Sequence, residues 1–174
     1  MILRLPVNSE RSDFVHLRAY TAGDFPELYR LFWEAVHTVN AADYAPTQLA
    51  AWAPGKPDAA RWEASLAAHY SLIAEEDGQI LGFADLDPGV SPEGSCTLDR
   101  LYLRSDCRGR GIASVLAAAL ERRARELGAA SVVTEASITA RPFFEKRGYA
   151  VVREQRKPLR GEIFCNYVMQ KSLR

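Results

Sequence analysis

The residues most able to do chemistry are Arg108-Gly109-Arg110-Gly111-Ile112-Ala113, placed where a short turn, Arg104-Ser105-Asp106-Cys107, runs into a long stretch of helical spacing. The first N–H groups of a helix have no internal partner, and the helix dipole is positive at that end. Gly109 and Gly111 carry no Cβ, so an anion can approach the backbone amides closely. Each charge-assisted bond of this kind is worth roughly 1.5–3 kcal/mol, and several together make an anchor for a diphosphate. The run is not a P-loop, because no Gly-Lys-Ser/Thr follows, and the Gly-x-Gly-x-x-Gly dinucleotide fingerprint is incomplete.

The cradle needs a strand before it and a helix after it. Leu98-Asp99-Arg100-Leu101-Tyr102-Leu103 reads as the strand. Ile112, Val115, Leu116, Ala119, Leu120 and Leu127 form the apolar stripe of the helix, with Glu121, Arg122, Arg125 and Glu126 expected on its wet side and Gly128 closing it. Ser131–Glu135 is a further strand, parallel to the first because a helical crossover joins them. Ser137–Tyr149 holds a short helix with Pro142 in its first turn, ending at Gly148. Tyr149–Arg156 and Glu162–Met169 read as a closing antiparallel pair.

Upstream, Met1–Asp13 reads as a loosely held lead-in, and Phe14-Val15-His16-Leu17-Arg18 alternates as a strand in which His16 is half-exposed rather than a ligand. Asp24 is the expected cap of a helix carrying Leu28, Leu31, Phe32, Ala35, Val36 and Val39 at helical spacing. Pro46–Trp52 is a short helix stopped by Pro54, and Asp58–His69 is another. Tyr70–Glu75 and Gln79–Leu86 form a hairpin about Asp77-Gly78, with Gly82 marking a close backbone approach. Asp85 and Asp87 flank a Pro-Gly loop; no His or Glu lies at metal-ligand spacing from them, so they read as a plain loop approach.

The 174 residues are enough for one domain with a sizeable core. Lys plus Arg and Asp plus Glu number 22 each, so the zero net charge lends no support to nucleic-acid or anionic-membrane binding. No apolar run reaches the roughly 20 residues of a membrane span, and Met1–Pro6 is too short for a secretory signal. Cys96, Cys107 and Cys165 make no paired framework, which fits a reducing cytoplasm.

The cradle, with Arg108, Gly111 and Ala113 at fixed positions and Leu101-Tyr102-Leu103 before it, resembles motif A of the GNAT superfamily of acyl-CoA-dependent N-acyltransferases. Ser137–Tyr149 resembles that superfamily's Asn-x-x-Ala-x-x-Phe-Tyr-Glu-Lys-x-Gly-Phe segment, and Tyr44-x-Pro46-x-Gln48-x-x-x-Trp52 is similar to a YafP-like branch. The resemblance implies an α/β (α+β) fold: a mixed, twisted sheet of six to seven strands flanked by helices, with two strands splayed to hold acetyl-CoA. The whole chain is then a single N-acetyltransferase domain. Leu101 and Leu103 are expected to offer backbone groups to the pantetheine and acetyl carbonyl, Tyr102 to face the other way, and Arg108 to Ala113 to hold the pyrophosphate. The first two helices wall the acceptor side in such proteins, so His37, Tyr44 and Trp52 are the expected acceptor-binding residues; packing in the core is the alternative for Tyr44 and Trp52, and a solvated helix position for His37.

Direct acyl transfer needs a base for the amine and a stabiliser for the leaving thiolate. Asp99, expected to share a face with Leu101, and Glu135 are the candidate bases. Many relatives place a tyrosine before the Glu-Lys pair as the acid; here it is Phe144, which has no proton to give, and Ser137 stands at the usual asparagine. Tyr167 is the candidate substitute. The implied activity is acetyl transfer from acetyl-CoA to a primary amine, without a metal. The alternative left open by Phe144 is an acyl-CoA-binding sensor with little catalysis. The acceptor is not identified, and a homodimer is compatible with the resemblance.

Overall fold

The computed structural model describes residues 15–174. The lead-in and Phe14 lie outside the described residues. Seven strands form one sheet in the order β1-β2-β3-β4-β5-β7-β6. They are β1 (His16–Ala19), β2 (Tyr70–Glu76), β3 (Gln79–Asp87), β4 (Ser95–Leu103), β5 (Ser131–Ser137), β6 (Ala150–Leu159) and β7 (Glu162–Ser172). Helices α1 (Phe25–Thr38), α2 (Pro46–Trp52) and α3 (Ala59–Ala68) precede β2; α4 (Ile112–Glu126) links β4 to β5, and α5 (Arg141–Lys146) links β5 to β6. No helix among the described residues is long and apolar enough to cross a membrane.

The sheet separates two cores. On one face α4 and α5 bury Ile112, Leu116, Leu120 and Phe144 against Leu86, Leu98, Val132 and Met169. On the other, α1 to α3 bury Leu28, Phe32, Val36, Leu49 and Leu66 against Ile73, Phe83 and Phe164. The α1 stripe follows the helical period of the sequence, as burial of one face requires. Asp24 stands at the N-cap of α1 but its side chain makes no capping bond: the carboxylate accepts from the Thr21 N–H and hydroxyl and from Arg18, at 2.8–2.9 Å. The Asp77-Gly78 turn has positive φ at both residues (51° and 75°), the twist that a two-residue hairpin needs. Arg160-Gly161 repeats it between β6 and β7, with φ of 48° and 85°.

Glu121, expected in water, is 4% exposed. Its carboxylate meets Arg147 and Lys171 at 2.9 Å each and accepts from the Tyr149 hydroxyl at 3.3 Å. The helical period alone could not show that α5 and β7 bring two cations over this edge of α4. Burial pushes the Glu121 carboxyl up, and the two cations outweigh it and hold it below its ordinary value.

Candidate active site

β4 and β5 pair in parallel only from Ser95–Ser131 to Leu98–Thr134. Beyond that point β4 continues along β3 as far as Leu103, and β5 continues along β7 as far as Ser137. The two strands therefore diverge, and the β5-facing edge of Asp99–Leu103 carries backbone groups without a strand partner. Arg104 N–H donates to Leu81 O of β3 at 2.9 Å, and Tyr102 O also faces β3, 2.8 Å from where a Cβ on Gly82 would stand. Alternation along the strand turns the N–H and C=O groups of Leu101 and Leu103 into the opening. Gly82 is thus required by the close approach of β4, as its place in a strand implied.

A cavity of about 290 Å³ fills the divergence. Leu101, Leu103, Arg108, Gly109, Ala113 and Phe144 line its α4 side. Gly109 and Gly111 have φ of 78° and 79°, the left-handed region where a side chain is strained, and Gly111 caps α4. A Cβ at either would meet nothing within 4 Å, so conformation rather than crowding selects glycine. Arg108 has no ion-pair partner among the described residues. Arg110 turns away to pair with Glu76 at 2.8 Å, and Ile112 is fully buried in the core. Of the four cradle residues that carry a side chain, those two keep theirs out of the cavity lining.

A second cavity, of about 540 Å³, lies on the α1–α3 side. Trp52, Asp99, Tyr102, Glu135 and Ser137 line both. The two spaces therefore meet at an aromatic pair, two carboxylates and a hydroxyl.

A bulge decides how Asp99 sits. Asp85 pairs with Arg100 and Leu86 with Leu98, so Asp99 is the extra residue on β4. The expected shared face with Leu101 is lost. Leu98 and Leu101 pack on the α4 side, while Arg100 stacks on Trp62 at 4.7 Å on the other. Asp99 Oδ2 lies 3.1 Å from Arg100 Nη2 and 4.0 Å from His69 Nδ1. Behind it Asp85, 0% exposed, meets His69 Nδ1 at 2.7 Å and Arg100 Nη1 at 3.3 Å. Burial pushes the Asp85 carboxyl up, and its hydrogen bond to His69 holds the imidazole above its ordinary value. Sequence separation concealed this group. His69 is 16 residues from Asp85, and only the β2–β3 pairing and the end of α3 bring them together. The Arg100 guanidinium already occupies the space between the two carboxylates.

Glu135 pairs with Lys157 at 2.6 Å. Burial would raise its carboxyl, but the bonds from Lys157 and Gln155 hold it below the usual range. Burial pushes the Tyr102 phenol well up, so it stays protonated. The remaining expectations fare differently. Phe144, 3% exposed, packs between Phe143 and Tyr149. Ser137 Oγ accepts from the Ala140 N–H at 3.0 Å. Tyr167 lines neither cavity and lies under the Arg141 guanidinium. His37 lines neither as well: it stacks on Trp33 and bonds Ala53 O at 3.0 Å. Tyr44 lines the second cavity, but its hydroxyl is a tie, donating to Cys165 O and accepting from Ile138 N–H, both at 2.9 Å. Arg100 and Trp62, which line the second cavity, and His69 and Asp85, which stand behind Asp99 without lining either, were not found from the sequence.

The profile of the acetyltransferase (GNAT) family matches residues 25–149. The chain is 33% identical over 156 residues to the N-acetyltransferase YafP of Escherichia coli (strain K12), spanning 90% of this chain and 95% of that protein. A GCN5-related N-acetyltransferase structure from Rhodopseudomonas palustris superposes with a TM-score of 0.84 at 34% identity, covering 91% and 95% of the two chains. The PaiA N-acetyltransferase of Thermoplasma acidophilum, solved in complex with coenzyme A, shares the fold with a TM-score of 0.74 at 17% identity, over 91% and 98%. The splayed strands, the glycine cradle and these likenesses agree: the chain belongs to the acetyltransferase (GNAT) family, in its YafP-like branch.

Proposed function

We propose that this acetyltransferase binds acetyl-CoA in the 290 Å³ cleft and moves the acetyl group directly to a primary amine held in the 540 Å³ cavity. The single observation that carries the reading is the junction: one set of residues lines both spaces, where the β4 backbone is free. Holding the two reactants side by side supplies much of the rate. The diphosphate lies on the amides after Cys107, with Arg108 as its counter-charge. Leu101 or Leu103 presents an N–H to the thioester oxygen as it gains charge.

Asp99 takes the amine proton, directly or through a water. The bulge sets it at the junction, and it is 47% exposed on its side chain, so the proton passes on to solvent. Glu135, held anionic by Lys157, is the weaker base and serves to draw the ammonium inward. Tyr102, kept protonated by burial, offers the departing thiolate a hydrogen bond from a hydroxyl that Phe144 lacks, and the thiolate takes its proton from solvent. A thiol with a pKa near 8.5 leaves without great difficulty even where that donor is imperfectly aligned.

Release of CoA thiol from acetyl-CoA, followed with a panel of primary amines, tests the reading. Amine-dependent release is expected. Asp99→Asn should lower kcat by about a hundredfold or more, in the range for a general base, with the acetyl-CoA Kd unchanged. Tight CoA binding with no release to any amine would instead favour a binding role without catalysis.

A further inference from the structure

The acceptor cavity carries its charges in a definite order. At its inner end, where it meets the cofactor cleft, stand the carboxylates of Asp99 and Glu135. Its outer end is made by the first turn of α3 and the tip of the β6–β7 hairpin, which contribute Arg61 and Arg160. Between the ends is an apolar band. Phe32 and Trp62 are in contact at 4.9 Å between ring centroids, and Phe164 faces Trp52 at 5.9 Å.

The other two cations of the lining are already matched. Arg100 is shared by Asp99 and Asp85, and Lys157 is paired with Glu135. Arg61 and Arg160 have no ion-pair partner among the described residues. Arg160 Nη1 donates to Ala51 O at 2.6 Å, which fixes the guanidinium against α2 and leaves its charge unmatched. Asp58, the lining carboxylate nearest Arg61 in the chain, caps α3 by accepting from the Arg61 backbone N–H at 3.2 Å. The outer end is therefore cationic, while at the inner end the carboxylates of Asp99 and Glu135 are met by Arg100 and Lys157. A guanidinium with free donors meets a carboxylate or phosphonate in two parallel bonds, and it repels an ammonium.

We propose that the acceptor is a primary amine bearing an anionic group on the far side of a ring-sized apolar body, with Arg61 and Arg160 as the anion's partners. Polyamines and diamines are disfavoured, because their second charge would lie against these two arginines. The proposal rests on the second cavity being the acceptor site, and binding measurements separate it from the question of transfer.

Three matched amines serve as probes: para-(aminomethyl)benzoate, para-methylbenzylamine and para-xylylenediamine. Calorimetry on the full chain saturated with CoA should show the benzoate binding about tenfold more tightly than the methyl compound, and the diamine most weakly. Arg61→Gln with Arg160→Gln should bring the benzoate-to-methyl ratio close to one. Arg61→Glu, a change on an exposed helix position, should turn the order toward the diamine. Equal or undetectable binding of all three, or a preference that survives the double substitution, overturns the proposal. Thiol release is measured on the same amines. The expected binding order without release from any of them would count against acetyl transfer and would still support the anionic-acceptor assignment.

Discussion

The two cavities differ in what they are made of. The proposed cofactor cleft takes its binding groups from the backbone: a strand edge left free by divergence, two glycines at positive φ and the first turn of α4. The acceptor cavity is made of side chains from α1, α2, α3, β4 and the β6–β7 hairpin. A backbone site tolerates changes in most of its side chains but not in the few residues that set its conformation. A side-chain site is tuned by each contributor and is held together by ties such as Tyr44. One can therefore be altered without the other, and the substitutions below are chosen to separate them.

The largest effect is expected at the cradle. Gly111→Glu puts a side chain at φ 79° and a negative charge at the proposed diphosphate site. Losing two charge-assisted bonds of roughly 1.5–3 kcal/mol each raises the CoA Kd about a thousandfold by calorimetry. Unchanged affinity would break the assignment of the cleft. Glu121→Ala removes the buried anion between Arg147 and Lys171, on the sheet face away from the acceptor cavity. It should cost about 3 kcal/mol in urea unfolding and leave the KM of both substrates in place.

Tyr44→Phe removes a hydroxyl that bridges β7 and the β5–α5 turn. A loss of about 1–2 kcal/mol of stability is expected, with a raised acceptor KM and an unchanged acetyl-CoA KM. A shift confined to acetyl-CoA would mean that the two sites are not separable in this way. The smallest effect concerns His69. Asp85 holds its imidazole above the ordinary value, so the native state binds that proton more tightly than the unfolded one. The resulting stability is complete below the unfolded pKa of about 6.5 and is lost as pH rises through the folded value. The urea midpoint should thus fall as pH rises above about 6.5, and His69→Gln should remove that slope.

The cradle was legible in the sequence because its parts are contiguous. A strand, a turn, two glycines and a helix start within 16 residues of Leu98 make one local unit, and local units obey local rules. The parallel crossover through α4 and the Asp77-Gly78 hairpin follow from the same kind of pattern, whereas the closing pair was read without its two-residue Arg160-Gly161 turn. Gly82 announced a close approach, and β4 makes it. Asp99 and Glu121 were misplaced for opposite reasons. A single-residue bulge changes the phase of β4 without any mark in its alternation, and a helical wheel cannot register the cations that α5 and β7 deliver to its polar face.

The family, the sheet and the anion cradle are properties of neighbours along the chain, because period, turn chemistry and helix ends are settled within a few residues. The acceptor cavity is a property of neighbours in space. His69 with Asp85 and Arg100 with Trp62 meet through the packing of α3 on the sheet, and the reach of the last hairpin adds Arg160 to the cavity that Arg61 lines. The energy that joins such pairs depends on distance and burial, and neither quantity is carried by residue order until the chain has folded.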